Sequence, residues 1–231
     1  MKYFPFLFIV LFAFTNCNNQ EEPMKQTINQ QITSQTTLQK VTVKKSSEFI
    51  AIDSTFGDLD KDGVDEKVVV FHNQSSEENT KSEIRIYKQQ NQNWKLFYLS
   101  KKGIWNVKRY SFDKVIIEKG ILKIHHTTII SFHVSLTHKY RYQNNDFDLI
   151  GYTDYSGILC QEWIKFDYNL STGKINYKKE TENCDDEQNQ IIKIIEQETF
   201  YHKLDTLPKL STFEFWQHEI ESPKHKALLI F

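Results

Sequence analysis

One short segment concentrates side chains that bind hard cations. Carboxylates recur at every second position, and a glycine after the third of them permits a sharp bend. A backbone carbonyl and a further carboxylate follow, so the segment can wrap oxygen ligands around an ion such as calcium. The predicted ligands are Asp58, Asp60, Asp62, the backbone carbonyl of Val64, and Glu66, with Gly63 at the bend.

The residues after this loop distinguish it from an EF-hand. An EF-hand has a bidentate glutamate at position 12, where this chain has Val69, and Lys67–Phe71 has the pattern of a strand. The loop therefore resembles the calcium loops of FG-GAP and VCBS-type β repeats, in which D-x-D-x-D-G leads directly into a strand. That resemblance implies bound Ca²⁺. The alternative is an aspartate-rich turn without a stably bound ion.

A single copy of the loop does not predict a complete β-propeller, because propellers repeat such units every several dozen residues.

The N-terminus has the pattern of a secretory signal. Lys2 precedes an apolar run from Phe4 to Phe14, which is shorter than the roughly 20 residues needed to span a bilayer. The alternative is a buried N-terminal helix or strand. A signal favours an extracytoplasmic location, in which disulfides persist.

Cys17 ends this apolar run. The stretch Phe14-Thr15-Asn16-Cys17 resembles a bacterial lipobox, although Asn16 replaces the usual small residue. The resemblance implies acylation of Cys17, palmitate included, and two or more acyl chains give stable membrane anchoring. No aspartate follows Cys17 directly, which favours the outer membrane, on its periplasmic or surface face.

Composition divides the chain into three segments. We expect a signal peptide at 1–16, the lipidated cysteine and a flexible polar tether at 17–42, and a single β-rich domain at 43–231. The tether is rich in Asn, Gln, Ser and Thr and has too little apolar surface to offset the entropy of ordering. A short amphipathic helix around Ile28 and Ile32 is the alternative.

The domain alternates apolar and polar residues and is rich in Ile, Val, Phe and Tyr, which predicts an all-β fold. We expect mainly antiparallel sheet, sandwich-like or partial-propeller-like, with at most one short helix. Residues 185–202 fit a helix or a strand, and their neighbours favour a strand. The predicted strands are Lys67–His72, Glu83–Lys88, Trp94–Leu99, Lys114–Ile117, Ile121–Ile130, Val134–Gln143, Phe147–Tyr152, Gln161–Leu170 and Lys174–Thr181.

Three hairpin turns are also predicted. Asn144-Asn145 suits a two-residue turn that pairs Tyr142 with Phe147 and Tyr140 with Leu149. Glu118–Gly120 and Ser171–Gly173 each place glycine third, as a three-residue loop requires.

The last of these loops predicts a disulfide. If Leu170 faces Lys174, the same register places Cys160 directly opposite Cys184, at a separation that suits a disulfide bond. Two unbonded thiols are the alternative.

The order of these features resembles a family of uncharacterised Gram-negative bacterial lipoproteins. The shared motifs are a G-D-L-[ND]-x-D-G loop, a hairpin over Tyr140–Tyr152, and an Asn-x-x-[ST]-Gly-Lys turn, here Asn169–Lys174. That family has no established activity to carry over.

Charge and motifs limit the functional classes. The chain has 29 basic and 30 acidic residues, so nothing favours a nucleic-acid partner. Eight histidines are present, but no nucleophile elbow, His-Glu-x-x-His or phosphate loop. We therefore expect a non-enzymatic, calcium-stabilised binding module that is held to the membrane through Cys17 and has an unknown protein or glycan partner. The alternatives are an envelope hydrolase with a site assembled across strands, an inhibitor or immunity protein, and a structural scaffold.

Overall fold

Two antiparallel sheets and a short hairpin make up the fold in a computed structural model that describes residues 49–73, 82–104, 111–129, 131–184 and 191–231. All of these residues belong to one compact unit. The predicted signal peptide, Cys17 and the tether lie outside the described residues. The strands are β1 (Phe49–Gly57), β2 (Glu66–Asn73), β3 (Ser82–Gln90), β4 (Asn93–Ser100), β5 (Ser111–Glu118), β6 (Ile121–Ile129), β7 (His133–Gln143), β8 (Asp146–Gly157), β9 (Glu162–Asn169), β10 (Lys174–Asn183), β11 (Ile191–Tyr201), β12 (Glu219–Glu221) and β13 (Leu228–Ile230).

The strand order is that of simple meanders. The first sheet runs β1-β2-β3-β4, the second runs β11-β10-β9-β8-β7-β6-β5, and β12 pairs with β13. Every pairing between these strands is antiparallel. The all-β, sandwich-like fold is thus confirmed, and the described residues contain no helix. In particular, none of them forms a helix with the length and apolar character needed to cross a bilayer.

A single apolar core joins the two sheets. It includes Val68 and Ile86 from the first sheet and Leu122 and Tyr168 from the second, all fully buried. The sheets also meet at their edges, where the Val115 amide of β5 donates to the Asp53 carboxylate of β1 at 2.8 Å. Because both sheets contribute to one core, each buries an apolar face that it could not bury alone.

The hairpin at Asn144-Asn145 is confirmed. Both asparagines have positive φ, at 52° and 62°, and Tyr142 pairs with Phe147 as predicted. Asparagine tolerates the left-handed region that such a two-residue turn requires. This turn sets the register of β7 and β8 next to the hairpin.

The other two turns differ from the prediction. Glu118 pairs with Ile121, so the β5–β6 turn contains only Lys119 and Gly120, both with positive φ. Lys174 pairs with Asn169 instead of Leu170, which makes the β9–β10 loop one residue longer than predicted. Leu170 is buried in the core, and this burial removes it from the ladder.

The disulfide between Cys160 and Cys184 is confirmed, but the strand register from which it was predicted is wrong. With Asn169 opposite Lys174, the ladder ends at Glu162 and Thr181, and Cys160 lies beyond it with a φ of 62°. The two Cα atoms are 5.1 Å apart. The Glu182 amide donates to the Gln161 carbonyl at 2.8 Å and holds the two chain segments together there.

Candidate functional site

The aspartate-rich loop connects β1 to β2. Gly57 ends β1 where an added Cβ would lie 2.6 Å from the Ile117 side chain, so a larger residue would displace the loop from β5. Gly63 has a φ of 87° with open space around it, so the backbone conformation is what favours glycine there. The loop also lies close to the β5–β6 turn, because a Cβ on Gly120 would be 3.2 Å from the Asp58 carbonyl.

The first and third aspartates fold the loop on itself. Asp58 accepts hydrogen bonds from the amides of Asp62 at 3.1 Å and Gly63 at 3.0 Å, and Asp62 accepts one from the Val64 amide at 2.8 Å. Such side-chain to backbone bonds close turns locally. The loop can thus take this shape from its own residues.

Glu66 holds the loop to the core from the first position of β2. Its carboxylate is almost fully buried and accepts a hydrogen bond from the Leu59 amide at 2.7 Å. The Leu59 side chain is itself buried in the core. Burial raises the pKa of Glu66, the Asp60 and Asp62 carboxylates raise it further, and the Leu59 amide and Lys88 oppose the rise.

The structure brings three of the predicted ligands together. Carboxylate oxygens of Asp58, Asp60 and Glu66 lie within 4.8 Å of one another. Asp62 is outside this group and hydrogen-bonds Lys88 at 3.1 Å, and Val64 is exposed. Three converging carboxylates are the kind of donor set that hard cations prefer.

Sequence reasoning missed Lys88, which extends from β3 into this cluster. Its ammonium group hydrogen-bonds Asp60, and its Nζ lies 3.5 Å from the Glu66 carboxylate. Burial lowers the pKa of Lys88, but the bonds to Asp60 and Asp62 outweigh burial and raise it. No local pattern links Lys88 to the loop, since only the pairing of β2 with β3 brings them together. An ammonium group therefore neutralises part of the charge that the metal prediction assigned to calcium.

Exposed apolar side chains lie on the outer face of the first sheet, at the same end as the loop. We call Phe56, Trp94 and Leu96 the outer patch; they are 52%, 40% and 55% exposed. Phe56 and Leu96 lie in one cross-strand row, with Lys67 and Tyr87 between them. The ring centroids of Phe56 and Trp94 are 5.9 Å apart. Clustered exposed side chains of this kind commonly mark an interaction surface.

Two histidines lie in the core. His126 and His138 are almost fully buried, their ring centroids are 5.6 Å apart, and Phe215 lies within 5.2 Å of both. Burial lowers the pKa of His126 to about 3 and that of His138 well below its usual value. Both are therefore neutral at pH 7, and their closest ring contacts are aromatic.

His125 and His133 lie on the opposite face of their strands. His125 is hydrogen-bonded to Thr137 at 2.9 Å, and His133 lies next to the Trp163 ring. Ser131 and Ser135, which flank His133, are exposed. This face of the strands is therefore partly exposed to solvent.

No protein-family model matches the chain, and no curated protein is significantly similar to it.

Proposed function

We propose that the chain is a membrane-tethered, non-enzymatic binding module that contacts a protein partner through the outer patch. The observation that carries this proposal is the exposure of two aromatic rings and a leucine in one place on the first sheet. Tryptophan and other large apolar side chains supply most of the energy of protein interfaces when they are desolvated. The strands that carry the patch are hydrogen-bonded to their neighbours, so binding requires little ordering of the backbone.

The side chains of the outer patch favour a protein partner over a glycan partner. Leu96 is the most exposed member of the patch, and Leu99 on the same strand is also exposed. Aliphatic side chains contribute to a protein interface by packing and desolvation. Lys67 and Tyr87, which lie between Phe56 and Leu96, add polar groups within the patch.

Photo-crosslinking in cells tests this surface. p-Benzoylphenylalanine at position 96 of the full chain is expected to form a discrete, protease-sensitive adduct. Placed at the exposed Lys174, on the other sheet, it should form none. Phe56→Ala together with Trp94→Ala should weaken the adduct severalfold, since truncating an anchor costs on the order of 2 kcal/mol. Equal adducts at 96 and 174 contradict the proposal, and an adduct removed by glycosidases but not by proteases assigns the patch to a glycan.

Tethering through an acylated Cys17 is the second part of the proposal. It is supported by the apolar run and by the cysteine three residues after its end. Labelled palmitate is expected to enter the wild-type chain and to be lost in Cys17→Ala, which should leave the membrane fraction. Label that persists in Cys17→Ala refutes the anchor.

Calcium bound in the β1–β2 loop is the third part. The carboxylates of Asp58, Asp60 and Glu66 fit a calcium ion by donor type and proximity, with Asp62 and the Val64 carbonyl as the further predicted ligands. The ion would supply charge neutralisation and fix the loop beside the outer patch. It would compete with the Lys88 ammonium for Asp60 and Glu66.

Thermal unfolding in calcium and in EDTA distinguishes stabilisation of the loop by the ion from stabilisation by Lys88. At a calcium concentration about 100 times the dissociation constant, binding adds roughly 3 kcal/mol, which raises Tm by several degrees. Asp60→Asn should abolish this rise, whereas Asp65→Asn, an exposed loop residue, should retain it.

Lys88→Met gives the sharper measurement. Without the ammonium, repulsion among the carboxylates should lower Tm in EDTA, and calcium should restore it, so the calcium-dependent rise becomes larger than in the wild type. If neither the wild type nor Lys88→Met responds to calcium, the loop is a turn neutralised by lysine and the calcium proposal is wrong.

A further inference from the structure

One carboxylate faces the core from the middle of β8. Asp154 pairs with the buried Leu136 of β7 and with the buried Phe166 of β9. Its strand neighbours two residues away are the buried Tyr152 and the half-buried Ser156, so the acid lies where the buried face of β8 meets solvent. A carboxylate in such a place is costly and is a candidate for function.

The charge of Asp154 has little compensation from the protein. Its Oδ1 atom is shielded from solvent and has no hydrogen-bond partner. Burial raises its pKa to about 6, and a hydrogen bond with Ser156 offsets only part of the rise. Among the described residues, no lysine, arginine or histidine contributes to this pKa. At pH 7 the group is mostly ionised and one of its oxygens is without a donor.

A cavity of about 170 Å³ lies over this carboxylate. Since a water in the liquid occupies about 30 Å³, this volume has room for a small organic group. The buried part of its lining comes from β7 and β8, and the exposed part comes from Phe132, Trp216 and Leu228, which are 43%, 46% and 51% exposed. The cavity is thus apolar and aromatic at its mouth and carries one acid within.

Trp216 is held at the mouth by an unusual backbone. Its φ is 63°, a conformation that is uncommon for a bulky residue and costs on the order of 1 kcal/mol or more. Such strain persists only where the surrounding structure imposes it. The indole is therefore placed at the opening by the fold.

We propose that this cavity binds an organic ammonium group. Asp154 is its counter-ion, and the faces of the aromatic rings at the mouth contact the cation. A cation gains both from the unpaired carboxylate and from the electron-rich faces of aromatic rings in a partly desolvated site. The cavity is lined by β7 and β8 of the second sheet and by Trp216 and β13, so this proposal does not depend on the outer patch of the first sheet or on calcium. Such an ammonium group can come from a small free cation or from the lysine side chain of another protein.

Three soluble probes at pH 7.5 test the site in the disulfide-bonded protein. Choline represents a small free ammonium ion, Nα-acetyl-lysine methylamide represents a lysine side chain, and 3,3-dimethylbutan-1-ol is the uncharged isostere of choline. Binding is followed by tryptophan fluorescence and by NMR shifts of the β8 amides. At least one of the two cations should bind, and the uncharged alcohol should bind at least about tenfold more weakly than choline if choline is the ligand.

Two variants assign the binding to this cavity. Asp154→Asn keeps the shape and removes the charge, so the dissociation constant of the bound cation should rise about tenfold or more. Trp216→Ala changes a partly exposed residue and should weaken binding severalfold even if Asp154→Asn does not fold. Binding of choline alone identifies a small free ammonium ion, and binding of the lysine analogue alone identifies a protein side chain. No binding of either cation, or equal binding by wild type and both variants, overturns the proposal.

Discussion

Lowering the pH from 7 to 4 is expected to destabilise the domain steeply because of His126 and His138. The pKa of His126 is about 3 in the folded protein and about 6.5 in an unfolded chain. A histidine whose pKa is lower in the folded protein than in the unfolded chain contributes its full stabilisation above pH 6.5. This stabilisation is lost as the pH falls toward the pKa of the folded state. At 1.4 kcal/mol per pKa unit, the loss from His126 alone approaches about 5 kcal/mol at pH 3, and about 3 kcal/mol at pH 4.

The physical reason is the aromatic environment of the two rings. His138 contacts Tyr152 and Phe213 at centroid distances near 5 Å, and neither of its ring nitrogens has a hydrogen-bond partner. Protonating one ring places a charge in the core beside the other, so the second protonation is opposed by repulsion as well as burial.

Chemical denaturation at several pH values measures this effect. The free energy of unfolding of the wild type should fall by several kcal/mol between pH 7 and pH 4. His126→Phe with His138→Phe should flatten the curve in that range, whereas His202→Gln, an exposed histidine, should leave it unchanged. Parallel curves for wild type and the double phenylalanine variant contradict the assignment to these histidines.

Asp154 has the opposite pH dependence and sharpens the comparison. Its folded pKa of about 6 lies above the ordinary 3.8, so folding favours its protonated form. Protonated Asp154 therefore contributes stability at low pH, and this contribution is lost as the pH rises from about 4 to 6. Asp154→Asn should consequently steepen the net acid destabilisation that the histidines cause.

The fold was accessible from the sequence wherever strands were long and alternating. Val134–Gln143 and Glu83–Lys88 alternate clearly and lie within observed strands. Phe49–Gly57 was not predicted as a strand, since this edge strand exposes Ile50 and Phe56 and has no clear apolar face. The β12–β13 hairpin has only three residues in each strand, too few for a periodic signal.

The candidate sites were accessible only where their residues are adjacent in the chain. Asp58, Asp60 and Glu66 belong to one loop, and spacing alone brings them together. Lys88 reaches them from another strand. Asp154 lines a cavity together with Trp216, which is sixty-two positions later in the chain. Such juxtapositions depend on strand pairing and packing, which residue spacing does not encode.

Breaking the Cys160–Cys184 bond is expected to lower the free energy of unfolding by about 3 to 4 kcal/mol. The bond closes a loop with a sequence separation of 24, and the loss of chain entropy in the unfolded state on closing such a loop corresponds to that amount. Glu182 adds local support, because its carboxylate accepts hydrogen bonds from the Cys160 amide at 2.9 Å and from the Trp163 indole at 2.8 Å.

The design separates the covalent bond from the contacts around it. Cys160→Ser with Cys184→Ser removes the cross-link while the Glu182 hydrogen bonds can persist, so its loss should match that of the reduced wild type. Glu182→Gln keeps the cross-link and should cost only on the order of 1 kcal/mol. Adding reductant should destabilise Glu182→Gln by as much as it destabilises the wild type and should leave the double serine variant unchanged. If reductant has no effect on the wild type, the bond does not contribute to stability, and the packing of Trp163 against Tyr155, at a centroid distance of 4.9 Å, is what holds this end of the sheet together.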